Sequence, residues 1–144
     1  MKKTIFRQYD IRGIVPDDLN ATDAKLIGKA FASFILRKGP SPKIIGGSDN
    51  RVHGEAIKNA FLEGLLEHGA RIVDIGFCPT PMLYFTVCDS QADAGVNITA
   101  SHNPAQYNGI KLCFGPGALY GEEIQLMRRL AEQGSFVNGP SKRS

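Results

Sequence analysis

The chain has 144 residues, 42% hydrophobic and 22% charged, with a formal net charge of +3; this is the composition of a globular domain, excludes disorder and offers too little scattered charge for nucleic acid. Its cysteines, Cys78, Cys88 and Cys113, are odd in number and form no C-x-x-C pair, so neither a disulfide framework nor a zinc site is indicated and a reducing cytoplasm is the expected compartment. No segment is long and apolar enough to span a bilayer, and in "MKKTIFRQYDIRG" the charges of Arg7, Asp10 and Arg12 interrupt any signal-like apolar region.

Along the chain the apolar period switches repeatedly between strand-like and helix-like spacing. Residues 4–15 read as a strand with a polar tip. A helix follows from an N-cap at Asn20 or Thr22, with Ile27, Ala30, Phe31, Phe34 and Ile35 recurring at helical spacing until Gly39-Pro40 stops them. "KIIGGSDNR" predicts a strand closing on turn residues, and a second helix carries Ile57, Ala60, Phe61 and Leu65 up to Gly69. "RIVDIG" predicts another strand, "TPMLYFTVCD" a short helix with proline near its start, and "AGVNITA" a further strand. "GIKLCF" completes the strands, and a last helix runs from about Gly121 to Gln133 with Glu122 and Glu123 at its positive end. This alternation implies a layered α/β domain with a largely parallel sheet, while "NGPSKRS", residues 138–144, reads as a polar tail or cut linker.

In such a domain, loops at the carboxyl ends of strands converge on one crevice. Three polar clusters fall at such positions: "RQYDIRG", "GSDNR" and "TASHNPAQYNGIK". Each has a plain reading by itself. Asp49, Asn50 and Arg51 make a turn with a local ion pair. Tyr9, Asp10 and Arg12 fit an edge strand with solvated charges as well as they fit a site. "SHNP" consists largely of turn formers, and Ser101 beside His102 is no triad, because adjacent side chains of an extended segment diverge. No G-x-S-x-G elbow surrounds Ser101, which speaks against a serine hydrolase. His53 and His68, beside or within the second helix, read as surface positions.

Together these stretches resemble a family. "TASHNPAQYNGIK" resembles the active-serine loop of the α-D-phosphohexomutases, which move phosphate between the 1- and 6-positions of a hexose. "FRQYDIRG" is similar to the opening motif of the phosphomannomutase/phosphoglucomutase branch, "GGSDNR" to the Gly-x-Asp-x-Arg turn and "GFCPTP" to the Gly-x-x-Pro-Thr-Pro segment, in the family's order. "YDIRG" favours this branch over the phosphoglucosamine mutases, which remain an alternative, as does a stand-alone, non-catalytic binding or regulatory module of the same fold. The resemblance implies a three-layer α/β/α domain with a mixed, largely parallel sheet, the first domain of such an enzyme, over residues 1–137. Domains II–IV are expected to lie outside this chain.

The same resemblance implies roles. Ser101 matches the phosphoserine that passes its phosphoryl group to a hexose monophosphate and recovers one from the bisphosphate intermediate. His102 and Lys111 match acid-base or phosphate-contacting groups, with Lys111 preferred for the proton step. Arg12 offers a guanidinium fork for phosphate, Tyr9 lines the same crevice, and Asn103 joins the phosphate-binding set while holding the loop's shape. Thr99 and Pro104 serve loop geometry, and Asn108-Gly109 turns the chain back into the next strand. Mg²⁺ is the implied cofactor, held by the phosphate on Ser101 and by aspartates of the second domain. The implied partners are glucose or mannose 1- and 6-phosphates, the hexose 1,6-bisphosphate and the remaining domains. At Val52-His53-Gly54 the chain departs from the family, which often has small hydroxyl residues there.

Overall fold

A computed structural model describes residues 1–36, 42–49, 51, 53–100, 103–115, 117–134 and 136. Strands β1 (Ile11–Ile14), β2 (Lys43–Ser48), β3 (Arg71–Phe77), β4 (Ala94–Ile98), β5 (Tyr107–Phe114) and β6 (Gly117–Ala118) form a mixed sheet. Helices α1 (Ala21–Leu36), α2 (Gly54–Glu67), α3 (Thr80–Asp89) and α4 (Glu122–Gln133) flank it.

The opening segment differs from the single strand expected over residues 4–15. Lys3–Ile5 is a 3₁₀ turn, Phe6 bridges to Ile11, and only Ile11–Ile14 enter the sheet. Two core anchors, Ile5 and Phe6, are followed by exposed Arg7, Gln8 and Tyr9 and then by buried Ile11. The polar residues therefore reverse in solvent between apolar ends, and the Arg7 N–H donates to the Asp10 carbonyl at 2.9 Å. Asn20 caps α1, its Oδ1 accepting from the Asp23 N–H at 2.9 Å.

The sheet order is β1-β5-β4-β2-β3, with β6 continuing the β1 side of β5. β3, β2 and β4 run parallel, whereas β5 is antiparallel to β4, β1 and β6. Chain length explains the change of sense: only residues 99–106 join β4 to β5, too few for a crossover. The parallel strands are linked through α2 and α3. From β2 to β3 the chain steps outward, and from β3 to β4 it steps back across β2. Right-handed crossovers then require α2 and α3 on opposite faces.

The two cores follow this division. α1, α2 and α4 bury Phe31, Phe61, Leu65, Ile124 and Met127 together with Ile44, Val96, Ile98, Ile110 and Leu112 of the strands. α1 and α2 approach closely, since Gly28 and Gly64 each face the other helix's backbone with no room for a Cβ. On the opposite face α3 covers a smaller core with Leu83 and Val87 over Ile45, Ala92 and Cys113.

His68 belongs inside, contrary to its surface reading. It is buried at the end of α2 with its ring centroid 5.4 Å from that of Phe136, because the chain beyond α4 folds back over it. No helix among the described residues is long and apolar enough to cross a membrane.

Candidate active site

Opposite residues of a strand pair point to the same face, and α3 covers only part of its face of the sheet. β1 and β5 align Arg12 with Gly109, one step from Ile11 opposite Ile110; β4 and β5 align Asn97 with Lys111. Asp10 thus stands level with Lys111, and Arg12 lies beside a residue without a side chain. A Cβ at Gly109 would lie 2.6 Å from the Ile11 carbonyl oxygen and 3.2 Å from the Arg12 Cβ. Glycine is required there by close approach within the strand, and Asn108 and Gly109 are both buried in β5. This corrects the expectation that they form a turn into it; the strand already begins at Tyr107.

Around that gap the side chains make one charged cluster. Asp10 Oδ2 accepts from Arg12 Nη2 at 2.7 Å, from Arg12 Nε at 3.0 Å and from Lys111 Nζ at 3.4 Å. Arg12 Nη1 donates to Asn103 Oδ1. Asp10 is almost wholly buried, while Arg12 and Lys111 keep part of their side chains in solvent. Two cations share one carboxylate, so the cluster presents excess positive charge to the crevice. Arg12, Asn103 and Lys111, expected to act together, are brought together; Tyr9 stands exposed and outside these contacts. Ser101 and His102 lie outside the described residues.

A second network holds the segment after them. Arg51 reaches well beyond the local ion pair expected of it. Its Nε donates to Asp49 Oδ2 at 3.1 Å, its Nη1 to the carbonyls of Pro104 and Tyr107 at 2.8 and 3.3 Å, and its Nη2 to the Asn103 carbonyl at 2.9 Å. Thr99 Oγ1 donates to the same Asp49 oxygen at 2.7 Å, and the Asp49 N–H donates to the Ile98 carbonyl at 3.0 Å. The end of β2 is therefore tied to both sides of residues 101–102. Only a planar fork can serve three carbonyls and a carboxylate at once.

His53 completes this network and corrects its surface reading. Its Nε2 lies 3.2 Å from the Ala105 carbonyl and its Nδ1 3.1 Å from Asn108 Nδ2. A neutral ring with its proton on Nε2 satisfies both: it donates to the carbonyl and accepts from the amide, whose own Oδ1 takes the Gly109 N–H at 2.8 Å. The sequence carried one cue, the departure at Val52-His53-Gly54. Asp10, the hub of the first cluster, was legible only as part of the motif around Arg12.

These contacts also bear on a metal ion. Asp10 is occupied by two cations and Asp49 by Arg51 and Thr99. Among the described residues, no group of three His, Cys, Asp or Glu side chains could hold a metal. The described residues by themselves do not fit Mg²⁺.

Comparison with known proteins agrees with the geometry. Residues 3–136 match the family model described as phosphoglucomutase/phosphomannomutase, alpha/beta/alpha domain I. A phosphomannomutase/phosphoglucomutase of Pseudomonas aeruginosa is 38% identical over 136 residues, 94% of this chain and 29% of the relative. A phosphoglucomutase of Neisseria gonorrhoeae is 39% identical over 135 residues, again 94% of this chain and 29% of the relative. Among solved structures, a phosphoglucomutase/phosphomannomutase family protein from Burkholderia thailandensis superposes with a TM-score of 0.90 at 33% identity, covering 96% of this chain and 32% of that one. The chain thus spans 29% of the length of these two curated relatives.

Proposed function

The chain belongs to the phosphoglucomutase/phosphomannomutase family, as its α/β/α domain I, and on that premise we propose that it is the phosphoserine-bearing domain of a phosphohexomutase. The reaction is reversible transfer of phosphate between the 1- and 6-positions of a hexose phosphate through a 1,6-bisphosphate. The domain as proposed comprises residues 1–137, followed by a polar tail. The observation that carries this reading is the convergence of Arg12 and Lys111 on Asp10, with Arg12 also holding Asn103, beside the 99–106 connection. Ser101 precedes Asn103 by two residues, so covalent reach keeps their Cα atoms within roughly 7 Å. A phosphoryl group on Ser101 would therefore lie within reach of a guanidinium and an ammonium.

Phosphoryl transfer has little covalent work for the protein to do; positioning and charge stabilisation dominate. The P–O bond to Ser101 breaks as a P–O bond to the sugar hydroxyl forms, and the hydroxyl proton leaves. We assign this proton to Lys111, which takes it as the neutral amine and returns it as the ammonium in the reverse transfer, with His102 as the other candidate, and assign Arg12 and Asn103 to the phosphate oxygens. We assign Tyr9, which is exposed and next to Asp10 in sequence, to the sugar. The network of Asp49, Arg51 and Thr99 holds the residues flanking Ser101. Mg²⁺ is a proposed partner whose carboxylate ligands come from outside this chain, and no step above is routed through it. The proposed substrates are glucose or mannose phosphates, and the free cysteines fit a cytoplasmic setting.

The test is Ser101→Ala in the complete polypeptide carrying this domain, read by a coupled mutase assay with a sugar bisphosphate activator. Turnover is lost while the circular dichroism spectrum is unchanged. Near-normal turnover would overturn the assignment.

A further inference from the structure

The ring of His53 carries a requirement that the rest of its network does not. Its Nε2 lies 3.2 Å from the Ala105 carbonyl oxygen, which can only accept, and its Nδ1 lies 3.1 Å from Asn108 Nδ2. The Asn108 amide is fixed in orientation, because its Oδ1 takes the Gly109 N–H at 2.8 Å. Nδ1 must therefore be the unprotonated nitrogen. An imidazolium, with a proton on each nitrogen, would set Nδ1–H against the Asn108 amide NH₂. Turning the amide to receive that proton would set its NH₂ against the N–H of Gly109 instead. Asn108 and Gly109 are both buried, so in either case a donor shut off from water loses its acceptor.

The contact reaches both flanks of Ser101. On one side it holds Ala105 directly. On the other, Asn108 fixes the Gly109 N–H, and the Gly109 carbonyl accepts from the N–H of Thr99 at 2.9 Å. Arg51 also holds this segment, through the carbonyls of Asn103, Pro104 and Tyr107, but a guanidinium keeps its charge at every working pH. The elements around the ring carry Asp49 and Arg51 after β2, Glu55 and Lys58 on α2, and Tyr107 and Lys111 on β5. Asp49 is paired with Arg51, Lys58 with Asp74 and Lys111 with Asp10. Histidine is the one side-chain type among these whose ordinary change of charge falls between pH 5 and 8.

We propose that His53 is a positioning residue for the segment around Ser101 and acts only as the neutral ring, so that a proton taken up on Nδ1 releases the segment. The step is a protonation from solvent, with no bond between heavy atoms made or broken. Its effect on catalysis rests on the proposed function; its effect on the segment does not.

Amide hydrogen exchange, read by nuclear magnetic resonance on the 144-residue chain and corrected for the intrinsic pH dependence of exchange, tests the structural half. Protection of the Thr99 and Gly109 amides should fall by at least about tenfold from pH 8 to pH 5, in step with titration of the His53 ring and not with that of His68 or His102. His53→Gln offers a donor and an acceptor and gains no charge, so its protection should stay constant over that range. His53→Ala supplies neither and should be poorly protected throughout. Wild-type protection that does not follow the His53 ring would overturn the proposal, as would wild-type protection in the alanine variant. In the complete polypeptide carrying this domain, the single-turnover rate of phosphoryl transfer relative to that of His53→Gln should drop by at least about tenfold from pH 8 to pH 5. The phosphates on Ser101 and on the substrate titrate in both proteins and cancel in this ratio. A ratio independent of pH would overturn the positioning role. Absence of turnover at every pH would remove the proposed function, while the exchange measurement would still decide whether His53 holds the segment.

Discussion

Asp10 and Lys111 share a contact but are expected to fail differently when replaced. Asp10 is buried and is the carboxylate on which Arg12 and Lys111 both close. Asp10→Asn keeps the shape and removes the charge, leaving two partly buried cations without their counter-ion; a loss of about 1–3 kcal/mol in unfolding free energy is expected by urea titration. Lys111→Met keeps most of the stem and removes the group assigned to the proton. In the complete polypeptide it should slow single-turnover phosphoryl transfer by roughly 10²–10⁴-fold with a much smaller effect on sugar phosphate binding. An unchanged single-turnover rate would move the proton to His102. At this scale the sequence showed the chemistry-bearing residues better than their supports. Arg12, Lys111 and Asn103 stood out because their motifs matched a family. Asp10, Arg51 and His53 act through partners from 52 to 101 positions away in sequence. Such contacts leave no local pattern, so Arg51 looked like half of a turn and His53 like a surface histidine.

The element carrying Lys111 also carries Cys113, two residues on and on the same face of β5, beneath α3. Burial pushes the Cys113 thiol up to about 11 from an ordinary 9.0, and burial raises Cys78 as well. For Cys113 the folded value lies above the unfolded one. Between pH 9 and about 11 the unfolded chain releases that proton while the folded chain keeps it. Stability should therefore be complete below pH 9 and fall across that window, by an amount on the order of 1–2 kcal/mol. Cys113→Ala should flatten this part of the pH profile of the denaturant midpoint; an equally steep fall in the variant would exclude the thiol as its source. The helices themselves were legible in the sequence: α3 and α4 lie within a residue of their expected bounds, α1 begins at its expected cap and α2 ends just before its stop at Gly69, although the start of α2 carried no signal. The first strand was not, because the apolar ends of residues 4–15 both reach the core by different routes. The sense of β5 was hidden too: it depends on the brevity of the 99–106 connection rather than on any pattern within the strand.

The whole molecule has a core of its own, and on the proposed function its reaction centre draws on groups from outside this chain. Its core runs continuously from Ile5 through the strands to Ala131, so the chain should fold alone and unfold cooperatively. Catalysis has other requirements. Arg12 and Lys111 face solvent on one side, Tyr9 is exposed, and the described residues provide no metal ligand set. Phosphoryl transfer gains most from groups closed around the transferring phosphate with water excluded, and on the proposed function those come from the portion of the family's length that lies beyond this chain. The most direct test is a coupled mutase assay with Mg²⁺ and a hexose 1,6-bisphosphate, run side by side on the 144-residue chain and on the complete polypeptide carrying this domain. The expected result is no conversion of glucose or mannose 1-phosphate by the chain alone and Ser101-dependent conversion by the complete polypeptide; Ser101-dependent turnover by the isolated chain would contradict it.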